Sequence, residues 1–107
     1  MVEIRWTDQS LEDINNIAEF IAKDSERYAK IQVQRFFDKT EVLIHHPTAG
    51  RIVPETGDKT TRELILGNYR IIYLIVNPEQ IDILTVHHGK RLLGNNPIFK
   101  KKVPSKS

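Results

Sequence analysis

Residues 62–76 read RELILGNYRIIYLIV, and this stretch decides the fold. Two segments flank the pair Gly67-Asn68: 62–66, which ends in Leu64-Ile65-Leu66, and 69–76, which is rich in β-branched and aromatic residues. A short turn pair between two such segments is typical of a tight β-hairpin. The segment from Tyr69 is apolar at nearly every position, which predicts a central strand that is covered on both faces.

The rest of the chain extends this hairpin into a complete sheet with two helices. Asn77-Pro78-Glu79-Gln80 turns the chain into a third strand over 81–88, and residues 2–6 alternate apolar with polar as a half-buried strand does. Between them, apolar residues recur every three or four positions. We therefore expect a first helix that Thr7 or Asp8 caps, with Leu11, Ile14, Ile17, Ala18 and Ile21 inward and Glu12, Asp13, Asn16, Glu19 and Lys23 in water.

A second helix follows the break at Asp24-Ser25 and ends before Pro47 and Gly50. The predicted class is α+β, with the order strand, two-helix hairpin, then three antiparallel strands in one sheet. The helix pair covers one side of that sheet. The stretch 47–60 is linker-like in composition, and no internal repeat is visible.

Composition and charge limit the classes of protein to which the chain can belong. A chain of 107 residues suffices for one domain, and the absence of cysteine excludes disulfides and thiolate metal sites. No apolar run is long enough to span a bilayer and no secretory leader is recognisable, so we expect a cytoplasmic protein. All 14 acidic residues lie at or before Asp82, whereas six of the 16 basic residues follow it. The basic end is either a surface for nucleic acid or an acidic protein, or a solvated tail.

The sequence offers few groups for catalysis. It has no glycine-rich phosphate loop, no metal-binding His-Glu-x-x-His and no nucleophile elbow, and adjacent His87 and His88 point to opposite faces of a regular strand. What remains is a set of cations at strand positions, namely Arg62, Arg70, Lys90 and Arg91, with His88 beside them. Such guanidinium groups could grip a phosphodiester while the histidine moves a proton.

The placement of Arg70 is the open question. An arginine in an apolar central strand is costly to bury unpaired, so Arg70 either bonds Glu63 or another internal acceptor, or faces an open groove. A two-residue turn pairs Ile65 with Arg70 and sends Arg62 and Arg70 to opposite faces. A longer turn or a bulge would place both on one face and allow them to share a phosphate.

Six short motifs in this order resemble the toxins of the RelE/ParE superfamily, of the plasmid stabilisation type, over about residues 3–93. These motifs are Trp6-Thr7, His46-Pro47-Thr48-Ala49-Gly50-Arg51, Val53-Pro54-Glu55, Arg62-Glu63-Leu64, Tyr69-Arg70-Ile71-Ile72-Tyr73 and Val86-His87-His88-Gly89-Lys90-Arg91. The resemblance implies a toxin domain over 1–95 and a cognate antitoxin that wraps around the toxin. It implies no cofactor, metal, small-molecule ligand or membrane. The charge layout and the position at the chain end predict a flexible basic tail over 96–107.

Two targets are open within this superfamily. ParE-like members poison DNA gyrase, whereas RelE-like members cut ribosome-bound mRNA without a metal, and the residues that match the nuclease positions are Arg62, Arg70 and Arg91. This chain has Leu64 where a second lysine is expected and Pro97 where a tyrosine is expected, so His88 would have to supply proton transfer. The histidine before Gly89-Lys90-Arg91 and the Gly-Arg-x-Val-Pro-Glu stretch favour the ParE side. A third reading is a degenerate member whose arginines are structural.

Overall fold

The computed structural model describes residues 1–89 and 96–98. Its elements are β1 (Glu3–Trp6), α1 (Asp8–Ala22), α2 (Glu26–Thr40), a short 3₁₀ helix (Glu41–Ile44), β2 (Arg51–Ile52), β3 (Thr61–Leu66), β4 (Tyr69–Asn77) and β5 (Gln80–His88). The predicted α+β order of one strand, two helices and a run of antiparallel strands is confirmed. None of the helices in these residues is both long and apolar enough to cross a membrane.

All five strands form one sheet in the order β1-β5-β4-β3-β2. β4 is therefore the central strand, as its apolar sequence predicts. β1 pairs with β5 in parallel, and the other neighbours are antiparallel. β2 lies in the stretch that composition marks as a linker. It has only two residues, and too short a strand leaves no periodic pattern to detect.

The hairpin register decides which side each strand residue faces. Ile65 pairs with Arg70 and Arg62 pairs with Tyr73, as a two-residue turn predicts. Gly67 has a φ of +58° in the first turn position, which is the glycine position of a type II′ turn. Arg62 and Arg70 consequently point to opposite faces of the sheet.

The helices pack on one side of the sheet, the helix face. The hydroxyl oxygen of Thr7 accepts from the amide of Ser10 at the start of α1, and Ser25 does the same for Tyr28 in α2. The fully buried core joins Phe36 and Leu43 to Ile71, Tyr73 and other strand residues, and Val2, Ile4 and Trp6 pack against it as predicted. The prediction that Leu11 faces inward is wrong, since its side chain lies at the edge of the apolar stripe and is 44% exposed.

The opposite side, the far face, has a small apolar cluster of its own. Val53, just after β2, is fully buried with Ile72 of β4, and Leu84 packs against them. The chain after β2 therefore folds back over the sheet. This return brings the acidic residue Glu55 over the central strands.

Candidate functional site

Arg70 lies on the far face, where internal carboxylates hold it. Its Nε donates to Glu63 Oε1 at 2.6 Å, and the Glu63 side chain is completely buried. The other oxygen of Glu63 accepts from Arg51 Nε at 2.5 Å. Of the two placements that the sequence allows for Arg70, the structure has the internally bonded one. The reason is that a buried carboxylate needs compensating donors, and two flanking arginines supply them.

Glu55 completes the arrangement. Its two carboxylate oxygens accept from the Nη1 and Nη2 of Arg70 at 3.0 and 2.8 Å, so the pair is bidentate. The hydrogen bond from Arg70 is the main reason that the pKa of Glu55 lies below its usual value. Bonding to Glu55 and Glu63 likewise raises the pKa of Arg70. We call Arg51, Glu55, Glu63 and Arg70 the far-face cluster.

Arg62, on the helix face at the edge of the sheet, bonds to backbone. Its Nε donates to the carbonyl of Lys59 at 2.9 Å and its Nη1 to the carbonyl of Gly50 at 2.9 Å. The buried hydroxyl of Tyr73 accepts from the Gly50 amide and donates to the Pro47 carbonyl. Arg62 and Tyr73 thus fix the path of the chain into β2.

Among the residues that the structure describes, the predicted nuclease residues Arg62, Arg70 and His88 do not come together. His88 is opposite Tyr69 and Arg62 is opposite Tyr73, which places these pairs four residues, or roughly 13 Å, apart along β4. Arg70 points to the other face, and its cross-strand partner is His87 rather than His88. Arg91 and most of the predicted tail lie outside the described residues.

A groove runs between α1 and the end of β5, and we call it the α1–β5 groove. It forms because β1 stops opposite Ile83, so α1 instead lies along the remainder of β5. The carboxylate of Asp13 accepts from the Val86 amide at 3.1 Å and from the Thr85 hydroxyl. The helix pattern predicts that Asp13 faces water. The pattern does not show that the Asp13 carboxylate accepts hydrogen bonds from the exposed edge of β5.

The groove has a volume of about 640 Å³ and a mixed lining. Its apolar part comes from Ile17, Phe20, Tyr69 and Val86, and its polar part from Asp13, Asn16, Glu19, Lys23 and His88. Phe20 is 71% exposed, and the Lys23 ammonium lies 5.8 Å from its ring centroid. Tyr69 makes edge contacts with the rings of Phe36 and His88. An exposed aromatic beside a polar rim is typical of a protein-binding surface.

Sequence reasoning missed Glu55, Asp13 and Asn96 as functional positions. Asn96 is buried, and its amide nitrogen lies 3.1 Å from both the Thr85 hydroxyl and His87 Nδ1. The only signal for Glu55 was its place in a motif of the superfamily. None of the three contacts follows from helix or strand periodicity, and the contact of Asp13 joins residues that are far apart in the sequence.

The comparisons with known proteins agree with this architecture. Residues 4–93 match the family described as ParE toxin of type II toxin-antitoxin system, parDE. The chain is 33% identical over 86 residues to "Putative toxin Y4kP" of Sinorhizobium fredii (strain NBRC 101917 / NGR234), an alignment that covers 80% of this chain and 86% of that protein.

A solved structure titled "Chromosomal ParDE TA system from P. aeruginosa" has the same fold. The two superimpose with a TM-score of 0.68 at 20% identity, over 82% of this chain and 96% of the other. The element order, the sheet and the family match over most of the chain lead to one conclusion. This chain belongs to the ParE toxin family of type II toxin–antitoxin systems.

Proposed function

We propose that this toxin inhibits DNA gyrase in the cytoplasm and that its cognate antitoxin neutralises it. The observation that carries the proposal is the family match over residues 4–93. Within the superfamily, the ParE branch acts on gyrase, and the motifs around Val53-Pro54-Glu55 and His88 favour that branch. In this proposal residues 1–95 form the toxin domain, and no residue performs covalent chemistry.

The bonding of the arginines supports a binding toxin over a nuclease. A nuclease needs several cations that converge on one phosphodiester. Here Arg62 bonds to backbone carbonyls and Arg70 bonds to two glutamates on the other face. To bind one phosphate together, both arginines would have to break these hydrogen bonds.

The experiment compares the two targets directly. Purified toxin is added to a gyrase supercoiling assay and, in parallel, to a translation extract in which new mRNA ends are mapped. We expect loss of supercoiling, no new mRNA ends, and recovery of supercoiling when the antitoxin is added.

Two other results would overturn the proposal. New mRNA ends with unaffected supercoiling would favour a ribosome-dependent nuclease that uses Arg62, Arg70, His88 and Arg91. Neither signal, together with harmless expression of the free chain, would indicate a degenerate member of the family.

We further propose that the antitoxin occupies the α1–β5 groove. This groove combines the most exposed aromatic ring of the helices with an apolar lining and a polar rim. Buried aromatic anchors supply much of the affinity in protein interfaces.

Phe20→Glu is therefore expected to weaken antitoxin binding about tenfold or more, because it places a charge where an apolar anchor is buried. Isothermal titration calorimetry measures the change in Kd. The matched control is Tyr28→Glu, since Tyr28 is an aromatic of 52% exposure on α2 that does not line the groove. Equal affinity of the Phe20 and Tyr28 variants would place the antitoxin elsewhere.

A further inference from the structure

Arg70 is held on its inner side by a contact that does not involve Glu55. The buried Glu63 fixes the guanidinium through Nε, while the outer edge with Nη1 and Nη2 points to the surface. That edge carries Glu55, whose side chain is 46% exposed. A guanidinium edge that is held in place from behind is preorganised to receive a planar carboxylate.

The charges of the far-face cluster balance only while Glu55 is bound. Arg51 and Arg70 contribute two positive charges, and Glu55 and Glu63 contribute two negative ones. If Glu55 moves away, the remaining three groups carry one net positive charge beside the buried Glu63. A carboxylate from another chain could restore the balance.

Arg70 and the α1–β5 groove are connected through Tyr69 at the hairpin end of the sheet. A second, shallow depression of about 320 Å³ lies at the hairpin end and is lined by Ile65, Gly67, Asn68, Tyr69, Arg70 and Gly89. Tyr69 lines both this depression and the groove. Ile65, the cross-strand neighbour of Arg70, is 46% exposed there and offers an apolar contact.

We propose that the antitoxin segment that leaves the groove passes over Tyr69 and delivers an acidic side chain to the outer edge of Arg70, where it displaces Glu55. This inference rests on the proposed binding of the antitoxin in the groove. Glu55 then acts as an internal competitor that occupies the site in the free toxin. The exchange replaces one bidentate pair by another, so its effect on affinity is modest and measurable.

The test weakens the competitor, because an amide carries no charge and accepts fewer hydrogen bonds than a carboxylate, and it leaves the bond from Arg70 to Glu63. Glu55→Gln is expected to tighten antitoxin binding on the order of two- to fivefold, the scale of a surface ion pair. The control is Glu79→Gln, which makes the same charge change at an exposed position in the turn at the opposite end of β4. This control variant measures how much the affinity for an acidic antitoxin rises only because the toxin has become more positive.

A second readout follows Arg70 itself. In ¹⁵N-labelled toxin, the Nη signals of Arg70 are expected to shift when the antitoxin binds, in wild type and in Glu55→Gln. Equal affinities of the two glutamine variants, with unmoved Nη signals, would overturn the inference although the complex still forms. Absence of any complex would instead reject the proposed antitoxin interface as well. Nη shifts with inorganic phosphate but none with the antitoxin would identify a phosphate site and also overturn the inference.

Discussion

Glu63→Ala is expected to lower the free energy of unfolding by about 3 kcal/mol, because it removes the buried carboxylate that two arginines share. Arg51 is 62% exposed and can return to water, whereas Arg70 is only 13% exposed and loses its inner partner. For a chain of this size the loss corresponds to a fall in Tm of about 12 °C. Urea unfolding and a thermal melt followed by circular dichroism measure both quantities.

The control for this variant is Glu79→Ala, which removes an exposed glutamate and should change stability by less than about 0.5 kcal/mol. Glu63→Gln should fall between the two variants, since the amide oxygen still accepts one hydrogen bond. A Glu63→Ala protein that melts with the wild type would show that the far-face cluster contributes nothing to the fold.

Gly50→Ala is expected to cost about 3 kcal/mol or to prevent folding, because there is no room for a side chain at this position. A Cβ atom there would lie 2.5 Å from the carbonyl oxygen of Glu63 and 2.8 Å from the Tyr73 ring and hydroxyl. The Glu63 carbonyl belongs to β3 and cannot move without disturbing the sheet. Thermal unfolding of the purified variant, or its recovery in the soluble fraction, measures the effect.

Gly67→Ala is the control that separates the steric effect of a new side chain from the backbone effect of losing a glycine. Nothing lies within 4 Å of a Cβ at Gly67, but the φ of +58° is unfavourable for alanine. Gly67→Ala is therefore expected to lower the free energy of unfolding by about 1 kcal/mol. Adding Tyr73→Phe to Gly50→Ala should not restore stability, because the clash with the Glu63 carbonyl remains. Similar stabilities of the Gly50 and Gly67 variants would contradict the packing explanation.

Much of the fold follows from local signals in the chain. The turn pair Gly67-Asn68 predicts the β3–β4 hairpin, and of the two registers that the sequence left open the structure has that of the two-residue turn, which sends Arg62 and Arg70 to opposite faces. The apolar run from Tyr69 predicts the central strand. The parallel pairing of β1 with β5 and the irregularity between Ile72 and Tyr73 in the β4–β5 ladder depend on how distant segments meet, so sequence periodicity does not show them.

The candidate site was less predictable than the fold. The pairing of Arg70 with Glu63 was one of two open alternatives, and the second partner, Glu55, lies in the stretch that resembles a linker. Asp13 has the position of a solvent-facing helix residue. Its carboxylate nevertheless accepts a hydrogen bond from the Val86 amide, on the edge of β5 that β1 leaves unpaired. Both contacts depend on chain segments that return from far away in the sequence, and no local pattern encodes them.

The arrangement assigns different roles to the two sides of the sheet. On the far face, carboxylates and arginines hold the chain after β2 onto the central strands. On the other side, α1 and the end of β5 leave a groove with an exposed aromatic ring. We infer that this toxin acts through binding surfaces and that the inner bonds of its strand arginines support the fold.

Thermal unfolding of Arg70→Ala tests this inference most directly. Loss of the guanidinium leaves the buried Glu63 with Arg51 alone and frees the chain around Glu55, so we predict a loss of about 2 kcal/mol and a fall in Tm of about 8 °C. An Arg70→Ala protein with the Tm of the wild type that has nevertheless lost its toxicity would contradict the account, because it would make Arg70 a residue of the active surface and not a support of the fold.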